Sequence, residues 1–310
     1  MKTYDIVTLT VNPALDKSSS FSHLMPEQKI RCEDPEYDAG GGGINVSKAI
    51  HRLGGESLCV FTSGGPIGKM LEGCLEKENI PMQIVAIQKW TRENFVALDT
   101  DTGSQYRFGF PGPPLTLAEQ KQIVATVSQT KAKHLVLSGS LNENLSEDFY
   151  QKIIKKAKAS GTKVILDTSG KALEKALELG VWLVKPNIGE LAKLMGIEKL
   201  KITEVPETAK KLIAKGSAEI VVVSLGPKGA VLVTKDHTIK IPAPEVPKKS
   251  TVGAGDSMLG AMVWALSQNK PLQEVIQWGV ACGSAATMNE GTQLFKLEDA
   301  NKLFKALKEK

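Results

Sequence analysis

Short apolar runs rich in β-branched residues alternate along this chain with stretches of helical spacing, and that alternation limits the fold more than any other feature. The runs lie at Asp5–Val11, Ser57–Thr62, Met82–Ile87, His134–Ser138, Lys163–Asp167, Trp182–Lys185 and Glu219–Ser224. Helical periodicity falls at Ile44–Leu53, Gly68–Glu78, Leu117–Gln129, Glu147–Lys158, Lys171–Leu179 and Pro206–Lys215. Strands that are apolar on both sides need cover on both sides, so the pattern predicts an α/β fold with a central, mainly parallel sheet flanked by helices. Two stretches break the rhythm. Residues 13–39 show no helix period, and residues 91–110 read as a hairpin, Asn94–Asp99 and Gln105–Phe110 around Thr102-Gly103. Together they predict a small β-sheet lid on one domain spanning 1–310. A second hairpin is expected at Ala230–Lys235 and His237–Ile241, and from Ala254 the chain reads as helical to its end.

Composition excludes several functions. Hydrophobic residues make up 42% of 310, enough for a substantial core. The net charge of +5 suits small anionic substrates, but the lysines are dispersed and aromatics are only 5%, so no nucleic-acid partner is expected. Cys32, Cys59, Cys74 and Cys282 lack Cys-x-x-Cys spacing and read as reduced thiols of a cytoplasmic protein. The N-terminal residues read directly into a strand without a signal-like run, and no apolar run approaches the roughly 20 residues of a membrane span.

Two glycine clusters stand at helix starts. Gly40-Gly41-Gly42-Gly43 precedes Ile44-Asn45-Val46, where bare backbone can approach a ligand and Asn45 can reach sugar hydroxyls. Ser250-Thr-Val-Gly-Ala-Gly-Asp256-Ser-Met opens a second helix. There Asp256 is either a plain cap or a base beside the anion-binding amides of Gly253, Ala254 and Gly255. Ser63–Met70 resembles a P-loop but has Ser63 for the leading glycine and Met70 for the magnesium hydroxyl, so an ordinary turn is expected. Neither cluster satisfies Gly-x-Gly-x-x-Gly, which removes the main support for a dehydrogenase. His23, His51, His134 and His237 lack metal spacing. In Lys185-Pro186-Asn187-Ile188-Gly189-Glu190, Asn187 and Glu190 fit a capping box as well as they fit the water shell of Mg²⁺.

The two clusters, in this order and separation, resemble the signatures of the ribokinase-like (PfkB) carbohydrate kinases, and the likeness covers nearly the whole chain. It implies a ribokinase-like fold, with Asp256 as base and the amides of Gly253, Ala254, Gly255 and Asp256 steadying a transferring phosphoryl group. It implies substrate contacts at Asp16, Gly42, Gly43, Asn45, Arg92 and Ser140, with Lys29 near the phosphates. A lid arginine is ordinarily just solvated; the likeness makes Arg92 a clamp for the sugar phosphate. ATP is implied at Lys185, Asn187, Ser224, Gly226, Gly229, Thr251 and Ser284, Mg²⁺ through water at Asn187 and Glu190, and K⁺ at Ser250, Val252, Ala286, Asn289 and Gly291. Gln293 stands where arginine is common in relatives. Lys89-Trp90-Thr91-Arg92-x-Asn94, Gln105-Tyr106-Arg107-Phe108, the unbroken glycines and Gly283–Thr287 are similar to the 6-phosphofructokinase branch. Transfer of the γ-phosphate of MgATP to the 1-hydroxyl of fructose 6-phosphate is therefore expected. The alternatives are tagatose 6-phosphate or fructose 1-phosphate as acceptor, or a non-catalytic sugar-phosphate-binding protein. The branch also implies a homodimer joined through the lid.

Overall fold

β-Branched residues stiffen an extended chain and fill a pleated surface, and the valine- and isoleucine-rich runs accordingly form strands. A computed structural model describes residues 4–309, so 1–3 and 310 of the expected 1–310 unit lie outside it. The chain begins β1 (Tyr4–Thr10), β2 (Ala14–Phe21), β3 (Glu36–Gly40), α1 (Gly42–Arg52), β4 (Leu58–Ser63) and α2 (Gly65–Lys77). It continues through β5 (Met82–Ala86), β6 (Arg92–Asp99), β7 (Gln105–Gly109), α3 (Leu117–Gln129), β8 (Ala132–Ser138) and α4 (Phe149–Ala159). Next come β9 (Lys163–Asp167), α5 (Gly170–Leu177), β10 (Val181–Val184), α6 (Ile188–Leu194), α7 (Val205–Ala214) and β11 (Ala218–Ser224). The chain closes with β12 (Ala230–Val233), β13 (Thr238–Ile241), α8 (Ala254–Ser267), α9 (Leu272–Ala286) and α10 (Leu297–Lys308).

Among the described residues the large sheet has the order β13-β12-β11-β10-β9-β8-β1-β4-β5. It is parallel except for the antiparallel β12 and β13 at one edge. Alternate residues of each strand serve opposite faces. Val7, Leu9, Leu135, Leu137, Val221 and Val223 pack under α3 to α7. Ile6, Val136 and Val222 pack under α1, α8, α9 and α10. The two layers predicted by the alternation are therefore both present.

The second sheet has the order β3-β2-β6-β7. Its register sets Asp38, Asp16, Asn94 and Gly109 in one cross-strand row, and Tyr37, Lys17, Phe95 and Phe108 in the next. Successive residues point to opposite faces, so a polar row and a largely aromatic row lie back to back.

Two expectations need correction. The C-terminal region is not continuously helical, because Thr287–Lys296 forms a loop in which Gly291 holds a left-handed φ of +59°. Ser63–Met70 is no ordinary turn: α2 starts at Gly65, with Pro66 inside its first turn, where a missing N–H costs nothing. Its Lys69 is held by Glu72 at 2.6 Å.

Candidate active site

The ends of parallel strands point their carbonyl edges at one crevice, and the strand order reverses beside β1, which has β4 on one side and β8 on the other. Ligands of open α/β sheets bind at such a point. Asn12 follows β1, Ser138 ends β8 with Gly139 and Ser140 after it, Asp167 ends β9, Lys185 follows β10 and Ser224 ends β11. The tetraglycine brings α1 to the same edge. A Cβ on Gly42 would lie 2.3 Å from Ser138 Oγ, and one on Gly43 2.7 Å from Leu9 O. The glycines therefore serve first to seat α1 on β1 and β8, a packing demand beyond the ligand approach read from the sequence.

α8 then meets α1 at close range. A Cβ on Gly260 would stand 2.6 Å from that of Ala49. One turn back along each helix, Asn45 Nδ2 donates to Asp256 Oδ2 at 2.8 Å. Asp256 is not the cap of α8. Gly253 is, in a left-handed conformation with φ +70°, and no side chain caps this end. Among the described residues the N–H groups of Gly253, Gly255 and Asp256 find no acceptor, and Ala254 N reaches Thr251 O only at 3.5 Å. Free amides and a half-buried carboxylate thus share one helix terminus. Burial is the main force pushing the Asp256 pKa up to about 6; Asp167 and Asp16 add to it, while the Asn45 bond and Lys185 oppose it.

Asp16 and Asn94 face this terminus from the small sheet, joined by an Asn94 Nδ2 to Asp16 Oδ1 bond of 2.8 Å. Arg92 donates to Asn94 Oδ1 at 3.3 Å, Phe110 O at 3.1 Å and Asn12 O at 3.2 Å, while its Nε has no partner. Burial lowers its pKa and Asp16 counteracts that. Asn12 Nδ2 also donates to Ser140 Oγ at 3.3 Å, so Asp16, Arg92 and Ser140 are connected. Lys29 makes no hydrogen bond or ion pair to this cluster among the described residues. It lies on the exposed connection beyond Phe21, near Glu33, which is bonded back to Ser19 and Ser20 at the far end of β2. Eight strand residues, about 25 Å, separate that end from Ala14.

On the other side of Asp256, Lys185 Nζ pairs with Asp167 Oδ2 at 3.1 Å. Burial works against the ammonium, but Asp167, Asp256 and Glu190 outweigh it and raise its pKa. Asn187 and Glu190 form a reciprocal capping box, each bond 2.9 Å. Burial raises Glu190, and Asp167 adds its like charge, against the Asn187 N–H and Lys185. A carboxylate raised by burial and by the like charge of Asp167, beside oxygen donors, is a group that a hard cation relieves. Ser224 bridges in parallel to Asn187, and Gly226 and Gly229 take positive φ in the turn that follows. Thr251 is exposed beside the free amides and accepts from Arg107 of β7 at 3.4 Å. Ser284 is half-buried near the end of α9 and receives Thr287 Oγ1 at its carbonyl, 2.7 Å away.

The loop after α9 folds back on Lys249–Val252. Ser250 Oγ donates to Gly291 O at 2.8 Å and accepts from Val252 N at 3.2 Å. Asn289 Nδ2 donates to Ala285 O and Leu294 O. Among the described residues the carbonyls of Ser250, Val252 and Asn289 accept no hydrogen bond, which suits an oxygen-coordinated cation. Ala286 ends α9 in the same place. Sequence reasoning gave no site role to Asp167, Asn12, Asn94 or Arg107, although Asn94 and Arg107 stand in stretches that resemble the 6-phosphofructokinase branch. An acid ending a predicted parallel strand was the available signal for Asp167; the other three become neighbours only through tertiary contact.

The sequence profile of the pfkB family carbohydrate kinases matches residues 3–300. This chain belongs to that family. An ATP-dependent 6-phosphofructokinase isozyme 2 of Escherichia coli is 41% identical over 301 residues, covering 96% of this chain and 97% of the other. A 1-phosphofructokinase of Bacillus subtilis is 31% identical over 94% of this chain and 95% of its own. Crystal structures of the E. coli phosphofructokinase-2 superpose over 99% of this chain and 100% of theirs. The complex with potassium gives a TM-score of 0.95 at 40% identity. The complex with fructose-6-phosphate gives 0.93 at 39%. A tetrameric inhibited form gives 0.92 at 39%. A ribokinase of Thermotoga maritima, 22% identical, shares the fold with a TM-score of 0.76 over 97% of this chain and 99% of that one. The expected ribokinase-like architecture is thus met.

Proposed function

We propose that this chain is a cytoplasmic ATP-dependent 6-phosphofructokinase, transferring the γ-phosphate of MgATP to the 1-hydroxyl of fructose 6-phosphate. The observation that carries the reading is the α8 terminus, where Asn45 orients Asp256 next to amides that have no internal acceptor. Asp256 is the base that takes the hydroxyl proton. The amides of Gly253 to Asp256 receive the charge of the phosphoryl group in flight, since phosphoryl transfer depends on alignment and charge stabilisation more than on covalent help. Asp16, Asn45 and Ser140, with the backbone of Gly42 and Gly43, orient the sugar, and Arg92 holds its phosphate in a bidentate grip.

Lys185, Ser224, Gly226, Gly229, Thr251 and Ser284 line the nucleotide side. Mg²⁺ would be held through water by Asn187 and Glu190 and would supply charge neutralisation on the nucleotide phosphates. K⁺ would take the oxygen-rich loop of Ser250, Val252, Ala286, Asn289 and Gly291. The chain forms one kinase domain whose small sheet is a lid, and two copies pair through that lid. Lys29, on the exposed connection after β2, reaches the sugar phosphate across such a pair.

The identity to the 6-phosphofructokinase isozyme exceeds that to the 1-phosphofructokinase by ten percentage points, which favours fructose 6-phosphate. An ATP-dependent phosphorylation panel of fructose 6-phosphate, fructose 1-phosphate, tagatose 6-phosphate and the unphosphorylated sugars tests the reading. The highest kcat/KM is expected for fructose 6-phosphate; preference for another acceptor replaces the substrate, and no turnover on any sugar leaves a binding protein.

A further inference from the structure

We propose that Lys48, which has no part in the transfer described above, is a positioning residue that holds Asp16 in place for the sugar through the lid strand β3. The inference rests on the reading of the polar row of the small sheet as the sugar site.

Lys48 lies on α1, three residues beyond Asn45, and is only 1% exposed. A lysine is almost never buried so deeply unless it is paired. Its ammonium is shared by Asp38 of β3 and by Glu78 Oε1, 3.0 Å away at the end of α2. The other Glu78 oxygen lies 3.9 Å from Arg52, one turn further along α1. One buried cation therefore ties together the helix that carries Asn45, the helix α2 and the lid strand β3. A buried ion pair contributes little net stability, so its consequence is sought in where it places charge and chain.

Asp38 stands directly opposite Asp16 in the β2–β3 ladder. Like charges so placed destabilise a sheet pair, and a cation engaged with one of them offsets that repulsion. Asp16 is meanwhile pressed against Gly40, where a Cβ would lie 2.0 Å from Asp16 Oδ2, and is bonded from β6 by Asn94. Around it stand Asp38 on β3, Lys48 on α1, Asn94 and Arg92 on β6 and Asp256 on α8. Burial lifts the Asp16 pKa to about 6 against the Asn94 bond; Asp38 adds to the rise, and Arg92 and Lys48 restrain it. An ionised Asp16 accepts hydrogen bonds from sugar hydroxyls at both oxygens, whereas a protonated one gives up part of that capacity. Lys48 thus acts twice, by anchoring β3 and by keeping Asp16 charged at neutral pH.

The test is equilibrium binding of fructose 6-phosphate between pH 5 and 8, with the KM for ATP measured alongside, on the full chain and three variants. In Lys48→Met the dissociation constant at pH 7 rises about tenfold and the pH at which binding fades moves up, with the ATP KM within about twofold of wild type. Lys48→Arg restores most of the affinity. Asp38→Asn moves the fading point down, because the like charge beside Asp16 is gone. The sugar phosphate titrates identically in every sample, so its own ionisation cancels in these differences.

A purely structural lysine would instead impair both substrates together and shift both variants in the same direction. Equal losses for ATP and sugar, an unmoved fading point in Lys48→Met, or an upward move in Asp38→Asn overturns the inference while leaving the functional reading intact. Should Lys48→Met not fold, the downward shift in Asp38→Asn supports the inference and its absence overturns it. Wild-type protein that does not bind fructose 6-phosphate overturns the functional reading first.

Discussion

Asp256 and Asp16 are carboxylates both pushed up to about 6, chiefly by burial. A base accepts a proton only when ionised, so turnover is expected to fall as the pH drops through about 6 and to level above it. Asp256→Asn keeps an oxygen for the Asn45 bond and loses the proposed base. Its kcat should fall about 10²–10⁴-fold while both substrates still bind, as steady-state kinetics and equilibrium titration will show. The same pKa bears on stability. A group whose folded pKa lies above its unfolded value adds stability at low pH and loses it as the pH rises through the folded value. Ionised Asp256 therefore weakens the fold above about pH 6. Asp256→Asn should melt above wild type at pH 8 and converge with it near pH 4, and a lower Tm at pH 8 would contradict this account. Asp256 and its glycines were legible in the sequence because they sit within four residues of one another. Asp167, Asn12 and Lys48 were not, because each acquires its meaning from a partner on another element.

Helix α8 depends on its crossing with α1, and Gly260 permits that crossing. Gly260→Ala would place a Cβ 2.6 Å from that of Ala49 and 2.9 Å from Val46 O, so the helices must part and the Asn45–Asp256 bond one turn away must stretch. Denaturant unfolding should register a loss of about 1–3 kcal/mol, with kcat reduced as well. For α6 the question left open by spacing is whether Glu190 merely caps. Glu190→Gln retains an oxygen for the Asn187 N–H, so the helix should keep its stability within about 0.5 kcal/mol. If Glu190 also orders magnesium water, the Mg²⁺ concentration for half-maximal activity rises sharply; if it only caps, that concentration stays put. Elements with strong periodicity, such as α3 and β9, matched their expected bounds residue for residue. The break at Thr287–Lys296 is not marked by a proline, and its loop is held by the tertiary bond of Ser250 to Gly291 together with local bonds of Asn289.

At the scale of the molecule, the two back-to-back rows give the small sheet two different faces. The polar row is turned to the site, where Arg107, in step with that row, reaches Thr251. The other face carries Tyr37, Lys17 and the stacked pair Phe95 and Phe108, whose rings lie 5.9 Å apart. Tyr37 is 40%, Phe108 48% and Phe110 55% exposed, and a groove of about 340 Å³ runs between Lys17, Phe95, Phe110 and Pro35. Aromatic surface left open on a sheet face marks an interaction site, and a second copy of the chain can cover it with the same surface, closing the assembly with two-fold symmetry. Light scattering should accordingly give twice the mass of the chain. Phe108→Asp changes a half-exposed position outside the core and puts a charge into the aromatic face, so it should yield a folded monomer at micromolar concentration. The monomer should lose affinity for fructose 6-phosphate more than for ATP, because the lid carries Asp16 and Arg92, the proposed sugar contacts, whereas the proposed nucleotide side lies on α6, β11 and α9. A variant that stays dimeric would move the interface to another face, and a monomer with wild-type kinetics would separate the lid's pairing from its role in the site.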